Sequence, residues 1–121
     1  NASLSLIVQV ETIDAVKQIE PIVAHPDVDG VMVGPYDLSG SLGVPGQLAH
    51  PHVRAAARRV VAACAAGSKS CGIHLVRPNL EAIKAHLAEG FTFLILGSDI
   101  FNLAQRSEEF DEMIAGCDAD A

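Results

Sequence analysis

Residues 30–39 read GVMVGPYDLS, a short apolar run that leads through a sharp turn into a short helix. A run of this length, bounded by turn residues, is typical of a strand buried on both faces. Gly34 permits close approach of the backbone, and free N–H groups at the start of the following helix can bind an anion such as a carboxylate. The segment therefore predicts a strand–turn–helix unit with a candidate binding turn at the carboxyl end of its strand.

The rest of the 121-residue chain repeats this unit. Apolar runs predict three more strands, over Leu4–Val10, Cys71–Val76 and Phe91–Leu96. The order is β-α-β-α-β-α-β-α, with crossovers long enough for parallel pairing, so the fold class is α/β. Two architectures fit: a small open flavodoxin-like sheet, or half of a (β/α)₈ barrel, which takes about 250 residues. Residues 1–121 form one segment in either case, and the barrel alternative leaves two sheet edges unpaired.

Capping residues mark the helices between these strands. Thr12 is a good N-cap, and Pro21 is expected to end or restart the helix that Thr12 begins. Gly67 is a normal helix stop. The remaining predicted elements are a long loop from Pro35 to Pro51, a helix over Val53–Ala66, a helix capped by Asn79 and running to Ala88, and a last helix over Ile100–Ile114 capped by Ser98 and Asp99.

The composition excludes several classes of protein. Half of the residues are hydrophobic, which argues against a disordered chain, and the net charge of −7 argues against a nucleic-acid partner. We expect no membrane association, because no apolar run reaches the roughly 20 residues of a membrane span, and no signal peptide. Three cysteines without a paired spacing, Cys64, Cys71 and Cys117, predict free thiols in a reducing cytoplasm.

Two acidic residues are the strongest candidates for chemistry. Glu11 and Asp37 follow the first and second predicted strands at equivalent positions. Neighbouring strands lie about 4.8 Å apart, so both carboxylates can reach one point above the sheet. A divalent cation would remove their mutual repulsion, and Mg²⁺ takes one or two carboxylates together with water and substrate oxygens. The alternative is that each acid caps the helix that follows it.

Other polar residues near the strand ends have more than one interpretation. Gln9 points to the same side as Glu11, where its amide either bonds a metal-bound water or a substrate carbonyl, or is a buried structural group. We expect a structural role for His74 and a surface salt bridge for Arg77, whereas Arg58 and Arg59 are typical of a solvated helix face. Lysine is absent from every predicted strand end, so carbonyl chemistry here would be metal-assisted rather than a Schiff-base reaction.

These segments together resemble the class II, metal-dependent pyruvate aldolases of the HpcH/HpaI type, which include the 2-dehydro-3-deoxyglucarate aldolases. The resemblance covers nearly the whole chain, and it is strongest over residues 7–51 and looser after residue 70. It depends on the paired QVET and GPYDLS segments and their spacing. The matching stretches are IVQVET at residues 7–12, VDGVMVGPYDLS at 28–39, Gly43, PGQ at 45–47 and His50-Pro51.

The resemblance implies a fold, a reaction and a set of site residues. The fold would be the second half, strands five to eight, of a TIM (β/α)₈ barrel, in a family that often assembles as homo-oligomers whose dimers swap their last helix. The reaction would be reversible aldol cleavage of a 4-hydroxy-2-oxo acid to pyruvate and an aldehyde, through a pyruvate enolate stabilised by Mg²⁺, Mn²⁺ or Co²⁺. Glu11 and Asp37 would bind the metal, with Gln9 as the third catalytic residue. The residues that would bind the substrate are Gly34, Pro35, Tyr36 and Asp37, with the backbone amides of Tyr36 and Asp37 on the pyruvate carboxylate.

The resemblance also leaves gaps. The family's carbonyl-polarising arginine and its catalytic histidine belong to the first half of the barrel and have no counterpart in these residues. These 121 residues alone therefore lack two of the family's catalytic groups, and three other functions stay open. The first is a non-catalytic half-barrel that self-associates through its sheet edges, and the second is a C–C lyase similar to the citrate and malyl-CoA lyases. A third alternative is a flavodoxin-like binding domain that uses Asp37 alone.

Overall fold

The computed structural model describes residues 4–119, which form one parallel sheet covered by helices. The strands are paired in chain order, β1-β2-β3-β4, and all three pairings are parallel. The strands are β1 (Ile7–Val10), β2 (Gly30–Val33), β3 (Ser70–Leu75) and β4 (Phe93–Leu96). The helices are α1 (Ile13–Lys17), α2 (Ile19–Ala24), α3 (Pro35–Ser41), α4 (Pro51–Ala66), α5 (Leu80–Ala88) and α6 (Asp99–Ala119).

Strand order decides between the two predicted architectures. A flavodoxin-like sheet places its first strand between the second and third, whereas here every strand pairs with its neighbour in sequence. Right-handed crossovers between strands in sequential order bring the helices to one face of the sheet. The sheet is therefore a half-barrel, which confirms one of the two predicted architectures, and the flavodoxin-like prediction is wrong.

The burial of alternate strand residues also shows that helices cover only one face of the sheet. Val10, Val31 and Val33 point to the helices and are at most 1% exposed. Successive side chains of a strand point to opposite faces, so Ile7 and Ile95 lie on the other face, where they are 48% and 40% exposed. The hydrophobic core thus lies between the sheet and α1–α4, while the concave face that would line a barrel is open to solvent.

The predicted helix ends are largely confirmed. The Thr12 hydroxyl accepts a hydrogen bond from the N–H of Ala15, and the Asn79 side chain accepts one from the N–H of Ala82. Gly67 is the C-cap of α4. The first helix does break, but at Gln18, and Pro21 lies inside α2, where the first turn of a helix tolerates proline.

Several predicted boundaries are wrong. Residues 4–6 lie outside β1 and residues 91–92 outside β4, because the paired residues of the ladder begin at Ile7 and Phe93, although the Leu6 carbonyl and the Thr92 N–H still bond the neighbouring strands. The short helix predicted after Gly34 is confirmed as α3, which takes up the first part of the expected long loop from Pro35 to Pro51, and α4 starts at Pro51 itself. The last helix extends beyond Ile114 to Ala119.

The three cysteines are free, as predicted; Cys64 and Cys71 are buried and Cys117 is exposed. A hydrogen bond to the Cys64 thiol, together with burial, raises the pKa of Cys71 well above its ordinary value. Both buried thiols belong to the hydrophobic core, where they pack as small apolar side chains. Among the described helices, none is both long and apolar enough to cross a membrane.

Candidate functional site

The end of β1 places Gln9 and Glu11 beside each other on the open face of the sheet. They are two residues apart, so they point the same way, and the Gln9 amide Nε2 donates a hydrogen bond to Glu11 Oε2. Thr12, not Glu11, caps α1, so the capping alternative for Glu11 is wrong. Gln9 is exposed on the face that would line a complete barrel, so both interpretations of its role stay predictions.

Gly34, at the end of β2, provides the space that this pair occupies. A Cβ atom built on Gly34 would lie 2.9 Å from both Gln9 Nε2 and Glu11 Oε2, and 3.0 Å from Glu11 Cβ. The Gly34 N–H also donates to the Val10 carbonyl at 3.1 Å, which holds the turn against the end of β1. The absence of a side chain at Gly34 thus lets the glutamate of one strand lie against the turn of the next.

The first turn of α3 presents both a carboxylate and backbone donors. The Leu38 N–H makes the first bond of the helix, to the Gly34 carbonyl at 3.0 Å. The N–H groups of Tyr36 and Asp37 precede it, so they have no partner within the helix. Asp37 is exposed and makes no capping hydrogen bond, so the capping alternative is wrong for this residue too.

Ser39 stabilises this turn, although nothing in the sequence singles it out beyond its place in the GPYDLS segment. It is fully buried; its hydroxyl donates to the Tyr36 carbonyl at 2.6 Å and accepts from the Gly46 N–H at 2.8 Å. Ser41, two residues on, accepts from the Ile13 N–H at 2.9 Å and joins α3 to the start of α1. The only sequence signal was a serine next to Leu38 on the buried side of a short helix.

The other candidates from the sequence have structural partners. His74 Nε2 lies 2.9 Å from the Gly97 carbonyl oxygen, and because a carbonyl only accepts, this nitrogen carries the proton. Arg77 lies 3.6 Å from Glu108 in an exposed ion pair, as predicted. Arg59 pairs with Glu20 at 3.1 Å on the solvated face of α4.

Two carboxylates at neighbouring strand ends fit a hard divalent cation, since such ions complete their coordination with water and substrate oxygens. Within the part of the chain that the structure describes, three or more His, Cys, Asp or Glu side chains never cluster in a way that could hold a metal. Glu11 and Asp37 are therefore the two carboxylate donors that the strand ends offer to such an ion.

Comparison with known sequences places the chain in a family. A family model described as HpcH/HpaI aldolase/citrate lyase matches residues 1–105. The chain belongs to the HpcH/HpaI aldolase/citrate lyase family. This result confirms the resemblance that the QVET and GPYDLS segments indicated.

Named relatives within the family are aldolases. A 5-keto-4-deoxy-D-glucarate aldolase of Salmonella paratyphi C is 37% identical over 100 residues, which cover 83% of this chain and 38% of that protein. A hydroxypyruvate/pyruvate aldolase of Chromohalobacter salexigens is 40% identical over 106 residues, which cover 88% of this chain and 41% of that protein. The chain thus spans about 40% of the length of these relatives.

Solved structures of the family have the same half-barrel. A family member from Burkholderia cenocepacia superposes with a TM-score of 0.86 at 32% identity, over 94% of this chain and 44% of that one. An HpcH/HpaI aldolase from Desulfitobacterium hafniense gives a TM-score of 0.83 at 27% identity, over 91% of this chain and 42% of that one. The four βα units therefore correspond to somewhat less than half of a complete family fold.

Proposed function

We propose that the chain supplies the metal-binding side of an aldolase that cleaves a 4-hydroxy-2-oxo acid reversibly to pyruvate and an aldehyde. The observation that carries this proposal is the Gln9–Glu11 pair lying over Gly34, at the start of the turn that holds Asp37. The aldolase names of the relatives support the reaction class. The proposal covers the parent protein, because the chain is shorter than those relatives.

The chain's own residues have distinct roles in this proposal. Glu11 and Asp37 would hold Mg²⁺, Mn²⁺ or Co²⁺, whose contribution is to stabilise the negative charge that develops on the 2-oxo oxygen. Gln9 orients the Glu11 carboxylate through its hydrogen bond, which is how outer-shell partners tune a ligand. The N–H groups of Tyr36 and Asp37 face the substrate carboxylate and fix the oxo acid in one orientation.

Exchange of the pyruvate methyl protons tests the chemical step. In D₂O with Mn²⁺, we expect deuterium to enter the methyl group, and we expect Glu11→Gln and Asp37→Asn to lower both the exchange rate and Mn²⁺ affinity by at least roughly tenfold. Asp14→Asn is a matched control, because Asp14 forms only an exposed ion pair with Lys17. Exchange that is equally fast in all three variants, or independent of metal, would contradict the proposal.

The Mn²⁺ titration distinguishes metal binding by this chain from proton transfer by other residues of the parent protein. Binding by the unmutated chain that disappears in Glu11→Gln and Asp37→Asn, without methyl exchange, would keep the metal site and assign proton transfer to residues of the rest of the parent protein. Absence of Mn²⁺ binding by the folded chain would reject the site itself. Circular dichroism of each variant shows whether the chain is still folded.

A second proposal concerns assembly, and the open face of the sheet favours it. Both edge strands expose large apolar residues on this face: Ile7 in β1 is 48% exposed and Ile95 in β4 is 40% exposed. Unpaired edges of this kind pair readily with another chain. We expect a homo-oligomer in size-exclusion chromatography with light scattering, shifted toward monomer by Ile7→Lys, whereas a strict monomer at high concentration would reject edge pairing.

A further inference from the structure

A hollow of about 400 Å³ lies between α4 and α5, on the helix-covered side of the sheet. Its floor consists of buried apolar side chains at the ends of β2 and β3, Val33, Ile73 and Leu75. The volume lies within the range of about 300–1,000 Å³ that is usual for small-molecule sites. Glu11 and Gln9 project from the opposite face of the sheet, so the hollow is separate from the candidate metal site.

The space between α4 and α5 stays unfilled because the side chains that line it on both helices are small. Ala57 on α4 faces Ala82 and Ala85 on α5, and all three line the hollow. A close-packed interior would place larger side chains at these positions. No residue of α5 is buried, so this helix spans the gap without filling it.

Among the described residues, the rim of the hollow carries one arginine that has no ion pair, although the chain as a whole has a net charge of −7. Three of the five arginines in the sequence line it, namely Arg54, Arg58 and Arg77. Arg54 pairs with Glu89 at 3.1 Å across the mouth, and Arg77 pairs with an α6 glutamate. Among the described residues Arg58 forms no ion pair, so its guanidinium is available to an anion. Arg58 is exposed, as the predicted solvated helix face requires, and its spacing of four residues from Arg54 places both arginines on the side of α4 that lines the hollow.

We infer that this hollow binds a small anionic amphiphile, an alkyl chain that ends in a carboxylate or phosphate group. The apolar floor and the alanine walls would bury the chain, and the guanidinium of Arg58 would bind the oxyanion. Because the hollow reaches Pro35 and Tyr36, a bound ligand would also touch the turn at the start of α3. This inference is independent of the aldolase reaction.

Site-resolved NMR with defined probes tests the inference. Sodium octanoate and octyl phosphate are titrated into the ¹⁵N-labelled chain. Butyrate is the control that lacks the long alkyl chain, and 1-octanol is the control that lacks the charge. We expect shifts at Ala57, Ala82 and Ala85, and an affinity for octanoate at least roughly tenfold above that for butyrate. Stronger binding of octyl phosphate than of octanoate would assign the head group to phosphate, and the reverse to carboxylate.

Neighbouring arginines give a matched pair of variants. Arg58→Gln should weaken octanoate binding roughly two- to fivefold, toward the affinity for 1-octanol, since an exposed charge contact is worth little more than this. Arg59→Gln should leave the affinity unchanged, because Arg59 faces Glu20 instead. Ala85→Leu places a larger side chain inside the hollow and should weaken octanoate binding.

Three results would overturn the inference. The first is the absence of any shift with millimolar octanoate, and the second is equal weakening by Arg58→Gln and Arg59→Gln. The third is a shift of the same resonances with protein concentration alone, which would assign the hollow to a second copy of the chain. Activity plays no part in these measurements, so failure of the aldolase proposal does not affect them.

Discussion

Replacing Gly34 with alanine should damage the candidate metal site while leaving the fold intact. The Gly34 backbone has φ −93°, so alanine is conformationally acceptable, and the effect of the new methyl group is steric. At 2.9 Å from Gln9 Nε2 and Glu11 Oε2, the methyl group is about 0.5 Å inside ordinary contact, which begins at 3.4 Å. Both side chains must therefore move away from the turn, and their mutual orientation changes.

The expected effect of Gly34→Ala on Mn²⁺ affinity is much larger than its effect on the free energy of unfolding. Moving a side chain off its rotamer costs about 0.5–1.5 kcal/mol, and replacing glycine gains about 0.4–1 kcal/mol through the unfolded chain, so the free energy of unfolding should change by less than about 1 kcal/mol. Displacing an outer-shell partner and its ligand should lower Mn²⁺ affinity by roughly 10–100-fold.

Gly40→Ala is the matched control for this experiment. Gly40 lies in α3, and a Cβ there would meet no atom within 4 Å, so alanine should raise helix stability and leave Mn²⁺ affinity unchanged. Urea unfolding and Mn²⁺ titration of both variants give the two quantities separately. If Gly34→Ala keeps the Mn²⁺ affinity of Gly40→Ala while both are folded, the proposed placement of Glu11 against the turn is wrong.

Three further predictions concern stability. Ser39→Ala removes a buried hydroxyl that bonds two backbone groups, so urea unfolding should show a loss of about 1–3 kcal/mol, and an unchanged midpoint would mean that these bonds contribute nothing. Gly72→Ala places a Cβ 2.1 Å from the Phe93 ring and should cost about 1–3 kcal/mol; the double variant with Phe93→Leu should recover most of this loss, and no recovery would exclude the clash as its cause. The pKa of Glu20 lies below its ordinary 4.5, chiefly because the carboxylate accepts a hydrogen bond from the Glu20 backbone N–H and secondly because it accepts one from the Arg59 guanidinium. Its stabilising effect is therefore fully present above pH 4.5 and lost as pH falls through the lowered pKa, so thermal unfolding of Glu20→Gln should differ from the unmutated chain at pH 7 and converge with it in acid; a difference that persists in acid would contradict this.

Local signals accounted for most of the secondary structure. Thr12 and Asn79 cap helices as predicted, because a capping side chain bonds a backbone N–H only three residues away. Strand limits were less predictable: residues 4–6 are as apolar as β1 but have no paired neighbour in the ladder. The start of α3 after Gly34 was predicted, but its end at Ser41 was not, since its glycine and serines suit a loop as well as a short helix.

The sequence by itself determined the repeated βα unit, the positions of Gln9, Glu11 and Asp37 at strand ends, and the family to which the chain belongs. Those features follow from local periodicity and from segments short enough to recognise. Only the tertiary structure decided the strand order, the contact of Glu11 with Gly34, and the hollow that places Arg58 beside α5. Each of these features depends on which segments far apart in the sequence pack together, and on how closely they approach. The backbone propensity of a single segment carries no information about its distance from another segment.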